Sequence, residues 1–219
     1  MLQKETVAPE TFKLLVRLQE DEITSGMRLV GGTALSLQIA HRTSTDLDLF
    51  SFDKFDVQSA LDVLILKYGF VPSYVTSYSI IGYVDGVKID MIYHPYRWLN
   101  PPIMEGSVRL AGLDDIVAMK LHAIANSGER PKDFLDIAFL SKYYSYNRMK
   151  ELALEKYPAY DAIMIDKSVN YFNDIDRDSI PLINLIGYSM DWNSIEKRLI
   201  VMTEFPDKQF ARAPLRRMK

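Results

Sequence analysis

Gly31-Gly32-Thr33-Ala34-Leu35, followed by Arg42-Thr43-Ser44-Thr45-Asp46-Leu47-Asp48-Leu49-Phe50, is the stretch on which the reading of this chain turns. The spacing predicts a strand over 27–30, a glycine turn, a helix over 33–40 opened by the cap-competent Thr33, and a second strand over 46–50. Glycines let backbone N–H groups approach phosphate oxygens, and a helix start adds positive potential there. In an extended strand Asp46 and Asp48 share a face, with Cα atoms about 6.6 Å apart, while Leu47 and Leu49 turn to the core. Paired carboxylates hold hard divalent cations. Together these features imply a nucleoside triphosphate handled through magnesium. Taken separately, they also fit a tight turn and an amphipathic strand with a solvated acidic face.

The rest of the chain bounds that reading. Its 219 residues are 48% hydrophobic and 25% charged, the balance of a globular protein with room for one large domain or two lobes. There is no cysteine, which excludes disulfides, thiolate zinc sites and cysteine nucleophiles. Residues 1–5 lack the apolar run of a signal peptide, and no stretch approaches the ~18 apolar residues of a membrane span. The expectation is a cytoplasmic protein without a membrane partner. The net charge of -3 means that any nucleic acid must meet a local basic patch. Lys208, Arg212, Arg216, Arg217 and Lys219 form one in a proline-punctuated tail, expected to fray or to dock on the surface.

Helical spacing recurs over 11–18, with Phe12, Leu15, Val16 and Leu18 inward, and over 56–68, with Val57, Leu61, Leu64 and Ile65 on one stripe. Strand-like runs cover 70–74, 78–84 and 87–93, the last two joined by the hairpin signal Asp85-Gly86. After the break at Asn100-Pro101-Pro102, helices are predicted over 113–125, 132–143, 147–156 and 191–203. The expected division is 1–105 and a mostly helical 106–219.

Three further features bear on chemistry. Asp90 shares a strand face with Lys88 and Ile92, opposite Val87, Ile89 and Met91. A carboxylate in an apolar strand is costly unless it is paired or binds a cation. It is therefore either neutralised by a neighbour such as Lys88, or a third carboxylate beside Asp46 and Asp48, serving as metal ligand or general base. Lys120 lies on an apolar helix, either as a snorkelling side chain or as a cation directed at the β and γ phosphates. Arg130, Lys132, Asp133 and Asp136 cluster at the next helix start, either as a solvated face or with an aspartate orienting Lys120 or Arg130 while the basic residues meet phosphate. Thr33 or Ser44 can add a hydroxyl contact to phosphate. His41, His94 and His122 show no ligand spacing and read as structural. The run Tyr143-Tyr144-Ser145-Tyr146 reads as packing rather than base stacking.

The ordered set Gly31-Gly32-Thr33-Ala34-Leu35, Arg42-x-Ser44-x-Asp46-x-Asp48-Leu49-Phe50, Lys88-Ile89-Asp90, Asp115-x4-Lys120 and Arg130-x-Lys132-Asp133-x2-Asp136 resembles the nucleotidyltransferase toxins of the AbiEii and MenA type. These come from abortive-infection and toxin–antitoxin systems and belong to the polymerase β-like nucleotidyltransferase superfamily. The resemblance implies an α+β fold, a polymerase β-like core of small mixed sheet and flanking helices followed by a helical lobe. It implies nucleotidyl transfer from an NTP with magnesium or manganese. By position it makes Asp46, Asp48 and Asp90 the metal ligands, and Lys120, Asp133 and Asp136 further members of the catalytic set. Gly31, Gly32, Thr33, Arg42, Ser44, Arg130 and Lys132 form the substrate-binding set. Some members modify the acceptor end of tRNA, and a separate antitoxin is the usual partner. The superfamily has Gly-Ser where this chain has Gly32-Thr33, which keeps the hydroxyl. Transfer to a protein hydroxyl, or a non-catalytic nucleotide-binding module, are the alternative readings.

Overall fold

Alternation decides which way the central strands face. Leu47 and Leu49 of β2 (Leu47–Ser51), Ile80 and Val84 of β4 (Ser79–Val84) and Ile89 and Met91 of β5 (Val87–Tyr93) are all buried on one side. Each is worth roughly 1.5–3 kcal/mol on burial. The computed structural model describes residues 1–218. With β1 (Met27–Leu29), β3 (Val71–Val75), β6 (Ile103–Glu105) and β7 (Val108–Leu110), these strands form a seven-stranded sheet in the order β3-β4-β5-β2-β1-β7-β6. The pairs β2–β5 and β1–β7 are parallel and the others antiparallel. Helices α1 (Pro9–Gln19), α2 (Gly31–Ile39) and α3 (Val57–Tyr68) pack on β7, β2 and β4. Asp85 and Gly86 have φ of 49° and 79°, the left-handed pair that a two-residue hairpin turn requires.

The chain divides into two compact units, Met1–Gly112 and a second beginning at Leu113. The division falls after β7 because Leu110 pairs with Leu29 of β1, which ties the hairpin of β6 and β7 into the sheet. In the second unit α4 (Leu113–Asn126) contacts α5 (Pro131–Leu140), α6 (Tyr146–Lys156) and α7 (Ala162–Val169), while α8 (Trp192–Glu204) packs on α5. The tail docks: Phe210 N–H donates to the Ser141 carbonyl at 3.0 Å, and Leu215 is buried. Lys219 lies outside the described residues. Among the described residues no helix is long and apolar enough to cross a membrane.

Several expectations need correction. Helix α2 starts at Gly31, with Val30 at its N-cap, so Thr33 is inside the helix and caps nothing. Strand β2 starts at Leu47, leaving Asp46 one residue ahead of it. In α1 Leu14 is buried and Phe12 only half-buried, and in α3 Ala60 and Tyr68 are buried while Ile65 is exposed. The short β6, β7 and α7 escape periodicity because three to eight residues hold too little of a repeat.

Candidate active site

The parallel pairing of β2 with β5 sets Asp48 directly beside Asp90. Both point away from the buried face lined by Leu47, Leu49, Ile89 and Met91. Lys88 Nζ binds Asp90 Oδ2 at 2.7 Å. The other oxygen, Asp90 Oδ1, is buried and has no hydrogen-bond partner among the described residues. Burial works against the Lys88 charge, but the hydrogen bond to Asp90 and the charges of Asp90, Asp48 and Asp46 outweigh it and hold its pKa above the ordinary lysine value. Of the two alternatives for Asp90, the pairing with Lys88 is present at Oδ2, while Oδ1 faces no donor among the described residues. Asp46 departs from the expected arrangement. It is not part of the strand, and Thr45 Oγ1 donates to its Oδ1 at 3.2 Å. Among the described residues no group of three or more His, Cys, Asp or Glu side chains is gathered to hold a metal ion. The pair the fold places in register is Asp48 and Asp90.

The glycine pair serves close approach. Gly31 has φ +68°, and a Cβ added there would fall 2.1 Å from Asp48 Oδ2. A Cβ on Gly32 would fall 2.3 Å from Arg42 Nη2 and 3.2 Å from Ser44 Oγ. The start of α2 therefore meets a carboxylate, a guanidinium and a hydroxyl with no side chain between. Arg42 is buried, and its Nη1 donates to the Thr43 carbonyl at 3.1 Å. Thr33 Oγ1 lies 2.9 Å from Ser44 Oγ and 2.5 Å from the Asp46 carbonyl oxygen. Thr33 is fully buried, so its hydroxyl fastens α2 to the segment before β2 rather than reaching a phosphate. That corrects its place in the substrate-binding set and leaves Ser44 as the half-exposed hydroxyl.

In the second unit, Lys120 of α4 is clamped by α5, with Nζ 2.5 Å from Asp133 Oδ1 and 2.8 Å from Asp136 Oδ2. Arg130 Nε lies 3.1 Å from Asp133 Oδ2. The i, i+3 spacing of the aspartates puts both on the helix face that meets α4. Lys132 is exposed, while the fully buried Asp136 gives its ion pair to Lys120. A second buried pair, Lys156 Nζ to Asp115 Oδ1 at 2.8 Å, joins α6 to α4 with both side chains shielded from water. Asp115 thus serves packing. The tyrosine run does too: Tyr146 OH donates to Asp166 at 2.9 Å and Tyr144 OH to Asp114 at 2.5 Å. His122 stacks on Tyr157 at 3.9 Å, and burial pushes its pKa down.

The family comparison gives the class that this glycine turn and carboxylate pair belong to: the protein is a nucleotidyltransferase. Two solved Helicobacter pylori structures share the fold. One is JHP933, 19% identical, covering 92% of this chain and 93% of its own, with a TM-score of 0.51. The other is a candidate nucleotidyltransferase, 18% identical, covering 91% and 96%, with a TM-score of 0.53. The profile of the nucleotidyl transferase AbiEii toxin family, type IV toxin–antitoxin system, matches residues 13–68 and 83–213, and this chain belongs to that family. The protein aq_aa25 of Aquifex aeolicus is 32% identical over 161 residues, 69% of this chain and 76% of the relative.

Proposed function

We propose that the protein moves a nucleotidyl group from a nucleoside triphosphate to a hydroxyl of RNA, the 3′ end of tRNA foremost, as the cytoplasmic toxin of a pair with a cognate antitoxin. The observation that carries the reading is Asp90, held through one oxygen by Lys88 with the other buried and unpartnered beside Asp48. A buried carboxylate oxygen without a donor is costly, and a cation or a substrate proton relieves it. The donors are hard oxygens, which suit magnesium or manganese. Asp48 and Asp90, joined by Asp46, would hold such an ion, whose chemistry there is to neutralise phosphate charge and acidify the attacking hydroxyl.

The chain's own residues do the rest. The start of α2 offers N–H groups to the triphosphate, with Asp48 packed against Gly31 and with Arg42 and Ser44 against Gly32 at its border. The acceptor oxygen bonds to the α-phosphorus as the bond from that phosphorus to the bridging oxygen breaks. Pyrophosphate leaves with the electron pair, and the proton of the acidified hydroxyl passes to solvent water. Sequence order, rather than any distance, assigns Lys120 to the phosphates and makes Asp133 and Asp136 its positioning residues.

The test incubates the protein with α-labelled NTPs, magnesium and total RNA. Label is expected in RNA, and is expected to vanish in Asp48→Asn and Asp90→Asn proteins that remain folded. Label removed by protease and not by RNase moves the acceptor to protein. Absence of both transfer and NTP binding overturns the reading.

A further inference from the structure

Across the sheet one register row runs Tyr74 of β3, Ile81 of β4, Asp90 of β5 and Asp48 of β2. Directly paired residues share a face, and strands lie about 4.8 Å apart, so Tyr74 stands roughly 10 Å from Asp90 along the row. The adjacent row holds Val71, Tyr83 and Lys88. Tyr74 and Tyr83 are 59% and 44% exposed. As diagonal neighbours they are about 7–8 Å apart.

A backbone irregularity creates this arrangement. The register of β3 against β4 shifts between Pro72 and Tyr74, so Ser73 is the extra residue, and its hydroxyl donates to the Ile81 carbonyl at 3.0 Å. Without the bulge Ser73 would face Ile81, and Tyr74 would turn to the opposite face with Ile80. The segment 69–82 lies outside the residues matched by the family profile.

Direction follows from the chemistry. The glycine cradle begins α2 directly after β1, on the β1 side of Asp48. Attacking and leaving oxygens at phosphorus are roughly in line. With pyrophosphate departing toward the cradle, the attacking hydroxyl arrives from the other side, past Asp90, over β4 and β3. What it crosses there is two exposed phenol rings, with Lys88 as the positive charge beside Tyr83. Aromatic rings on an open sheet face suit unpaired bases, which stack with little regard for sequence.

We propose that Tyr74 and Tyr83 form the stacking platform for the unpaired terminal nucleotides of the RNA acceptor. The proposal rests on the RNA reading above and adds no chemical step to it. Tyr74→Ala and Tyr83→Ala are each expected to raise the KM for RNA roughly tenfold, the equivalent of about 1.4 kcal/mol of lost stacking. The KM for NTP is expected to stay put, Tyr→Phe variants to behave as wild type, and melting temperatures to be unchanged. A labelled single-stranded RNA hexamer, followed by fluorescence anisotropy without NTP, is expected to bind wild type and to weaken by at least the same factor in the double alanine variant. Wild-type RNA KM and hexamer affinity in that double variant overturn the platform and leave the RNA acceptor standing. So does impairment of the phenylalanine variants equal to that of alanine. No transfer to RNA by the wild type overturns the acceptor reading and the platform with it, whatever protein is labelled instead.

Discussion

Replacing Gly31 by alanine separates two effects that this residue combines. A side chain at φ +68° adopts the left-handed region at a cost of about 1–2 kcal/mol. Its Cβ also meets Asp48 Oδ2 at 2.1 Å and Cγ at 3.1 Å, against an ordinary contact of about 3.5 Å. The carboxylate must therefore retreat by about 1 Å or more from its place beside Asp90. Misplacement on that scale costs on the order of 100-fold in rate. Gly69→Ala is the control. Gly69 ends α3 at φ +66° with nothing within 4 Å of an added Cβ, so it carries the strain without the collision. Both variants are expected to lose about 2–4 °C of melting temperature per kcal/mol of strain. Only Gly31→Ala is expected to lose transfer, measured as label incorporated from NTP per minute. Equal transfer by the two variants would refute the reasoning, because the clash with Asp48 would then have no chemical consequence.

Asp90→Asn is expected to abolish the rise in melting temperature that saturating magnesium gives the wild type, since an ion that binds only the folded state stabilises it; an equal rise in both would remove Asp90 from the ligand set. Lys88→Met strips the partner from the Asp90 carboxylate and destabilises the fold. Because the folded-state pKa of Lys88 is raised, its contribution is full below the ordinary lysine value and fades as pH rises through the raised one. The stability gap to wild type, followed by urea unfolding, is expected to stay constant through neutral pH and narrow only above about 10.5. Lys156→Met strands the buried Asp115 charge and is expected to cost about 3–5 kcal/mol, most of it recovered in Lys156→Met/Asp115→Leu. A double variant no more stable than the single one would show that the pair stabilises α4 against α6 beyond an apolar contact.

What the sequence made legible were the features whose physics is local or strictly periodic. The facing of Asp48 and Asp90 follows from a period of two with leucine, isoleucine and methionine between. Asp85-Gly86 announced its turn because few other dipeptides take two left-handed residues. The clamp on Lys120 was half visible, since Asp133 and Asp136 are one helical turn apart. Thr33 misled because a hydroxyl at a helix start looks like a cap, whereas the helix runs back into the glycines and buries that hydroxyl. Asp46 falls just ahead of β2 because the strand boundary lies one residue later than the alternation suggests. Nothing local marks Lys156 as the partner of Asp115, and nothing before the register was known could bring Tyr74 onto the row of Asp90, because one extra residue in β3 decides its face.

The parallel pairing of β2 with β5 also has a bearing on when, during synthesis, the carboxylate pair can form. Parallel neighbours cannot close as a hairpin; β5 must arrive after α3, β3 and β4 have been made and laid beside β2. A slip of one position there turns Asp90 into the core and out of reach of Asp48. Until synthesis has passed Tyr93 and that strand has settled, the growing polypeptide lacks its carboxylate pair.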